Sequence, residues 1–133
     1  MTMTMQDEVI GALCMWRENR GGGVPGMQSV LNVLINRAKH RNTSVYEEAV
    51  RKWQFSSMTA PGDANLILFP TALDAQWSEA LALAAQAAVG ALEDITGGAT
   101  SYYAPAGMPG GIAPKWADEM EYTATIAGQR FFR

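Results

Sequence analysis

Apolar residues first recur at helical spacing over 6–19, with Val9, Leu13 and Trp16 on one face and Ile10 beside them. Asp7 and Glu8 suit the positive end of a helix dipole at its start, and Gly21 to Gly23 stop it. A second helix is predicted from the first turn around Pro25 to about His40. Val30, Leu31, Leu34 and Ile35 give it an apolar stripe, and Arg37, Lys39 and His40 complement its C-terminal end. Ser44 reads as the N-cap of a third helix through VYEEAVRKW, with Glu47 as its capping-box partner. QFSSMTAPGD then reads as a loop, and Pro70 and Asp74 border a long fourth helix over 73–92.

Beyond residue 92 the periodicity is lost. TGGATSYYAPAGMPGGIAPKW is rich in glycine and proline and predicts a structured loop or short strands. YTATIAGQRFFR places β-branched and aromatic residues on either side of Ala127-Gly128, as a terminal hairpin would. The fold class expected is therefore mainly α (α+β): one domain over 1–133, with four to five helices, a small β-hairpin near the C-terminus, and residues 1–5 frayed.

Composition narrows the function classes. The 133 residues suit one core, and 48% apolar content supplies the material for it. A net charge of −3 without a dense Lys/Arg run argues against nucleic acid as partner. With one cysteine, Cys14, and one histidine, His40, an intramolecular disulfide is excluded and a zinc site is disfavoured. No metal or organic cofactor is implied, and Cys14 reads as a small core residue. The N-terminus lacks a basic and then apolar leader, and the apolar run Ala80 to Leu92 is too short to span a bilayer. The expectation is a protein made in the cytoplasm without a signal peptide, not inserted in membranes, and monomeric.

Nucleophilic triads are hard to assemble around a lone histidine in a basic helix end, and the glycine run follows a helix rather than a strand. Carboxylate chemistry remains, and Glu18 in WRENRGGGVPGM is its most distinctive candidate. The negative end of the helix dipole favours a protonated side chain there, as a general acid requires, whereas Arg17 and Arg20 oppose it if their charged ends come close. On the residues alone, a solvated surface glutamate at a helix end is the favoured reading.

WRENRGGG…GMQSVLNVLINRA, then WQFSS, then TGGATSYYAP…PKW resemble the cell-wall hydrolase family of the spore-cortex-lytic enzymes. The matching elements are Glu18 with Arg20-Gly21, Val33 to Arg37, Gln54-Phe55-Ser56, and Gly97-Gly98 with Tyr102, Tyr103 and Pro105. Each motif is weak alone; their order over residues 8–132 is what carries the resemblance. It implies a lysozyme-like fold, similar to goose-type lysozyme and the soluble lytic transglycosylases. It further implies cleavage of peptidoglycan glycan strands between N-acetylmuramic acid and N-acetylglucosamine, with Glu18 as the catalytic acid. Four positions depart from the family pattern: Gly22 and Gly23 where a second acidic residue is common, Ala104 where asparagine often precedes the proline, and Trp53 in place of a small residue.

A muramidase needs a second carboxylate. Asp63, Asp118 and Glu119 are the candidates, the last two also reading as a helix turn or a solvated pair. A lytic transglycosylase needs none, because the muramic 6-hydroxyl attacks the anomeric carbon while one glutamate acts as acid and then base. The lone glutamate favours this route, with the muramidase and a non-catalytic wall-binding protein as alternatives. Gln54 and Ser56 are expected to bond the substrate or hold Glu18, with Phe55 in the core. Tyr102 and Tyr103 are expected to alternate, Tyr103 facing the groove. Trp116 is expected to line the cleft or cap the core, and Trp53 and Trp77 to pack. His40, Arg41 and Arg51 offer positive charge to an anionic wall polymer, or form a solvated helix end. Delivery to the wall without a leader suggests phage-mediated release, as for an endolysin.

Overall fold

The computed structural model describes residues 2–133. Helix α1 (Met5–Asn19) starts from a capping box, in which the Thr4 hydroxyl accepts from the Asp7 amide and the Asp7 carboxylate accepts from the Thr4 amide. The other Asp7 oxygen accepts from the Tyr46 amide, docking this helix start on the third helix. The frayed stretch expected over 1–5 falls partly on Met1, outside the described residues; Thr4 and Met5 are instead the cap and first residue of the helix.

The inward face of α1 is only partly the expected one: Trp16 is buried and Ile10 packs half-buried on the core, but the stripe is rotated away from Val9. Val9 is 43% exposed, and the buried stripe runs through Asp7, Gly11, Cys14 and Met15. Small side chains decide this: a Cβ on Gly11 would sit 3.2 Å from Val45 Cγ1, so the neighbouring helix packs closest where α1 has least bulk. The rotation places Glu18 one turn beyond Cys14 on the inward stripe.

A 3-10 turn, Arg20–Gly22, leads into α2 (Gly23–Arg41), with Gly23 at φ +68°. Helix α2 buries Met27, Val30, Leu31, Val33, Leu34 and Ala38, and ends at left-handed Asn42. Ser44 and Glu47 form the expected capping box, but α3 spans only Val45–Ala49. The stretch expected as a loop contains a one-turn helix, α4 (Ser56–Thr59), and Asp63 then caps a 3-10 turn over Ala64–Ile67. Asp74 caps α5 (Ala75–Ala88), which is shorter than predicted because Gly90 turns at φ +75°.

Helices α1, α2, α3 and α5 enclose the main core around Met15, Met27, Leu31, Leu34, Phe55 and Leu83. The predicted hairpin is β2 (Tyr122–Ile126) and β3 (Gln129–Phe132), joined by Ala127 and Gly128, both with positive φ as a two-residue turn requires. A third strand, β1 (Ser101–Tyr103), comes from the Gly/Pro-rich segment and pairs antiparallel with β3, giving the order β1-β3-β2. Phe131, Val33 and Ala99 form a second cluster that fastens the sheet to α2. Among the described residues, no helix is long and apolar enough to cross a membrane.

Candidate active site

Glu18, half-buried in the last turn of α1, is held by two hydroxyls. Tyr102 Oη donates to its Oε1 at 2.7 Å, and Ser57 Oγ donates to its Oε2 at 2.5 Å. The three side chains come from α1, β1 and α4, so each needs its own support.

Helix α2 supplies the support for Tyr102. Gln28 and Asn32 donate to the Glu93 carbonyl, and Asn32 accepts from the Ile95 amide. Asn36 donates to Asp94 and to the Ala99 carbonyl, and Arg37 Nε donates to the Thr100 carbonyl at 2.6 Å. Residues 28, 32 and 36 share one helix face, so a single polar row grips the segment that enters β1. Asp94 folds the turn from within: burial pushes its carboxyl up, but hydrogen bonds from Thr96, Asn36 and the Thr96 and Gly98 amides outweigh burial and hold it below the usual range. The Tyr102 ring then lies 5.3 Å from Phe131 and 6.5 Å from Phe55, centroid to centroid. Burial, and next the charge of Glu18, push its phenol well above its ordinary value, so it stays a donor.

Arg17 supports Ser57. Its Nη1 donates to the Ser57 carbonyl at 3.3 Å and its Nε to the Leu68 carbonyl, with the guanidinium over the Phe69 ring. Arg20 stacks on Trp16 at 4.1 Å and donates to the Trp16 carbonyl and the Asn65 side chain. Both arginines beside Glu18 in sequence are therefore committed to other partners. Among the described residues, no salt bridge includes Glu18.

Glu18 opens onto a shallow depression that it shares with Arg17, Asn19, Arg20, Gly21 and Asn65. Of the three glycines, Gly21 faces open space: a Cβ added there would have no neighbour within 4 Å. A Cβ on Gly22 would instead meet Asn19 Oδ1 at 2.6 Å and Ala127 Cβ at 2.9 Å. Gly22 thus lets the hairpin turn seat against the end of α1, and Gly21 alone borders the opening.

The other expected residues are placed differently. Ser56 donates to Asp63 at 2.6 Å, and its neighbour Ser57 is the one that meets Glu18. Gln54 is exposed; it rims a hollow with Arg37, His40 and Arg41, and a groove with Trp53, Ser56 and Pro61. Tyr102 and Tyr103 do alternate, but with the opposite phase: Tyr103 stacks on Phe132 and meets Trp116 edge-on, while Tyr102 reaches Glu18. Trp116 packs in that aromatic group against Phe132. Phe55 is in the core, and Trp77 packs half-buried against it. Trp53 does not pack, being 85% exposed.

Asp63 has both oxygens engaged, by the Ser56 hydroxyl and the Asn65 amide, which hold its carboxyl below the usual range. Asp118 and Glu119 are exposed in a 3-10 turn, Lys115–Glu119. Cys14 is buried, and burial followed by the Glu18 charge pushes its thiol well up. Among the described residues, no three of His, Cys, Asp and Glu converge to hold a metal ion.

The fold is thus a helical domain with a small sheet, and one glutamate is held by two hydroxyls where a helix end meets an open depression. Residues 21–132 match the family described as Cell Wall Hydrolase, and the chain belongs to that family. The match begins three residues after Glu18, whereas the fold likeness takes in nearly the whole chain. The structure is similar to the catalytic domain of the germination-specific lytic transglycosylase SleB from Bacillus anthracis, with a TM-score of 0.73 at 21% identity over 98% of this chain and 96% of that one. The lysozyme-like, mainly helical fold class expected from the sequence is the one found. No curated protein sequence matches. The chain is thus a cell-wall-cleaving enzyme.

Proposed function

We propose that this protein cuts peptidoglycan glycan strands between N-acetylmuramic acid and N-acetylglucosamine as a lytic transglycosylase, with Glu18 as its catalytic residue. The observation that carries this reading is the pair of hydroxyls on Glu18, from Tyr102 and Ser57, with no cation bonded to it among the described residues. A carboxyl held this way can give up and regain a proton without breaking an ion pair.

In the first half of the reaction the Glu18 carboxyl protonates the glycosidic oxygen as the bond to the muramic anomeric carbon breaks, releasing the 4-hydroxyl of the next sugar. Tyr102 and Ser57 are already oriented to donate to the carboxylate that forms, so little reorganisation is needed. In the second half the muramic 6-hydroxyl attacks the anomeric carbon and its proton passes to Glu18. The acid is restored and a 1,6-anhydro end is produced. The engagement of both Asp63 oxygens, by the Ser56 hydroxyl and the Asn65 amide, supports a route that uses one carboxylate.

The test is mass spectrometry of fragments released from purified sacculi. The expected products end in 1,6-anhydromuramic acid. Reducing muramic ends would make the enzyme a muramidase, and binding without release would make it a non-catalytic wall protein.

A further inference from the structure

Trp53 contradicts two rules at once. It carries a large apolar side chain that is 85% exposed, and its backbone sits at φ +70°, a region that non-glycine residues occupy at a cost in strain. Neither feature helps the core, whose nearest member in sequence is Phe55. The indole stands at the wall of a groove of about 330 Å³ shared with Gln54, Ser56, Thr59, Ala60 and Pro61. Its walls combine an aromatic face with an amide and two hydroxyls, of which Ser56 donates to Asp63 and Thr59 to the Phe55 carbonyl, leaving both oxygens able to accept from a sugar hydroxyl. That is the chemistry of a pyranose ring, which offers C–H groups on its face and hydroxyls at its rim. The groove and the Glu18 site lie on two faces of the same short helix: α4 presents Ser56 and Thr59 to the groove and buried Ser57 to Glu18. Lys52 lies 5.1 Å from the indole centroid, leaving the exposed remainder of the ring open.

We propose that the Trp53 groove is a glycan subsite, in which a sugar of the same peptidoglycan strand stacks on the indole while a more distant linkage lies at Glu18. This rests on the glycan-cleaving reading above, and it adds a place where the strand is held apart from where it is cut. The strained turn holds the indole out over the groove in the absence of substrate.

The test measures binding without turnover. E18Q serves as the background, compared with E18Q/W53L and E18Q/W53Y, for binding of peptide-free glycan strands and of whole sacculi. Leucine and tyrosine carry the same backbone strain, so the pair isolates the aromatic face. The expected result is a Kd raised about tenfold by W53L and largely restored by W53Y, on both ligands, with thermal midpoints unchanged. Equal affinity of all three proteins, or equal weakening by leucine and tyrosine, would overturn the subsite, as would absence of glycan binding by E18Q itself. A Trp53-dependent affinity in a protein whose wild type releases no fragments would support the subsite while refuting the lytic reading.

Discussion

Glu18 and Glu48 are two inward-facing glutamates on helices of one core, and their surroundings differ in kind. Glu48 is fully buried in α3 and receives two hydrogen bonds from Arg51, the nearer at 2.8 Å, and one from Thr43 at 2.6 Å, with Arg41 at 3.6 Å. Burial alone pushes its carboxyl up, but the bonds from Arg51 and Thr43 and the charges of Arg51 and Arg41 outweigh burial and hold it below the usual range. Glu18 is half-buried, bonded to two hydroxyls, and open to a depression. Guanidiniums fix one carboxylate as a structural anion. Two hydroxyls position the other, and no salt bridge among the described residues includes it, although arginines flank it in sequence.

The sharpest way to break this contrast is to remove each carboxylate's charge in turn. E18Q keeps the shape of the side chain and removes the acid, so sacculus clearing is expected to fall about 10²- to 10⁴-fold. Its thermal midpoint should stay close to wild type. Clearing within a few-fold of wild type would transfer the acid role elsewhere.

E48Q should do the reverse. Breaking a fully buried ion pair costs about 3–5 kcal/mol. Arg41 and Arg51 are partly exposed and regain water when the charge is lost, which reduces the expected loss of folding stability to about 2 kcal/mol in urea titrations. Activity per folded molecule should be retained. A catalytic defect in folded E48Q would mean that the two glutamates are coupled.

The sequence made half of this contrast legible. Ser44 and Glu47 announced α3, and WREN followed by three glycines announced a carboxylate at a helix end. The partners of Glu18 were harder to read, because each depends on a phase that local pattern does not set. QFSSMT read as a loop has no periodicity, so nothing favoured Ser57 over Ser56 until α4 turned one inward and the other toward Asp63. Two adjacent tyrosines alternate in any strand, but which one faces Glu18 follows from the register of β1 on β3, where Tyr102 lies opposite Phe131. That register is fixed at long range by Asn36 and Arg37. The Asn-Arg end of the apolar run was visible in the sequence, while its carbonyl partners were not. Trp53 misled for another reason: an apolar residue is expected inside, and sequence does not reveal a left-handed backbone that holds it out.

Removing the hydroxyls tests whether they position Glu18 or merely surround it. Y102F and S57A each delete one hydrogen bond, worth about 1 kcal/mol, so each should lower kcat roughly five- to tenfold. KM should hardly change, since neither hydroxyl needs to touch the sugar to act. The double variant is expected to lose more than the product of the two singles, because the carboxyl is then free to rotate. Strict additivity, or an effect on KM alone, would mark the hydroxyls as substrate contacts instead.

The smallest effect follows from the pH dependence of folding. The Glu48 carboxyl is held lower in the folded chain than in the unfolded one, so below the usual carboxylate range the unfolded chain binds more protons. The stabilisation is therefore complete above about pH 4.5 and declines as pH falls through the folded value. E48Q has no such group. The stability gap between wild type and E48Q, measured by urea unfolding, should be full at pH 7 and narrow steadily as acid protonates Glu48, which then resembles the glutamine. A gap that stayed constant into strong acid would show that the glutamine's cost comes from shape rather than charge. The ion pair would then not be what separates Glu48 from Glu18.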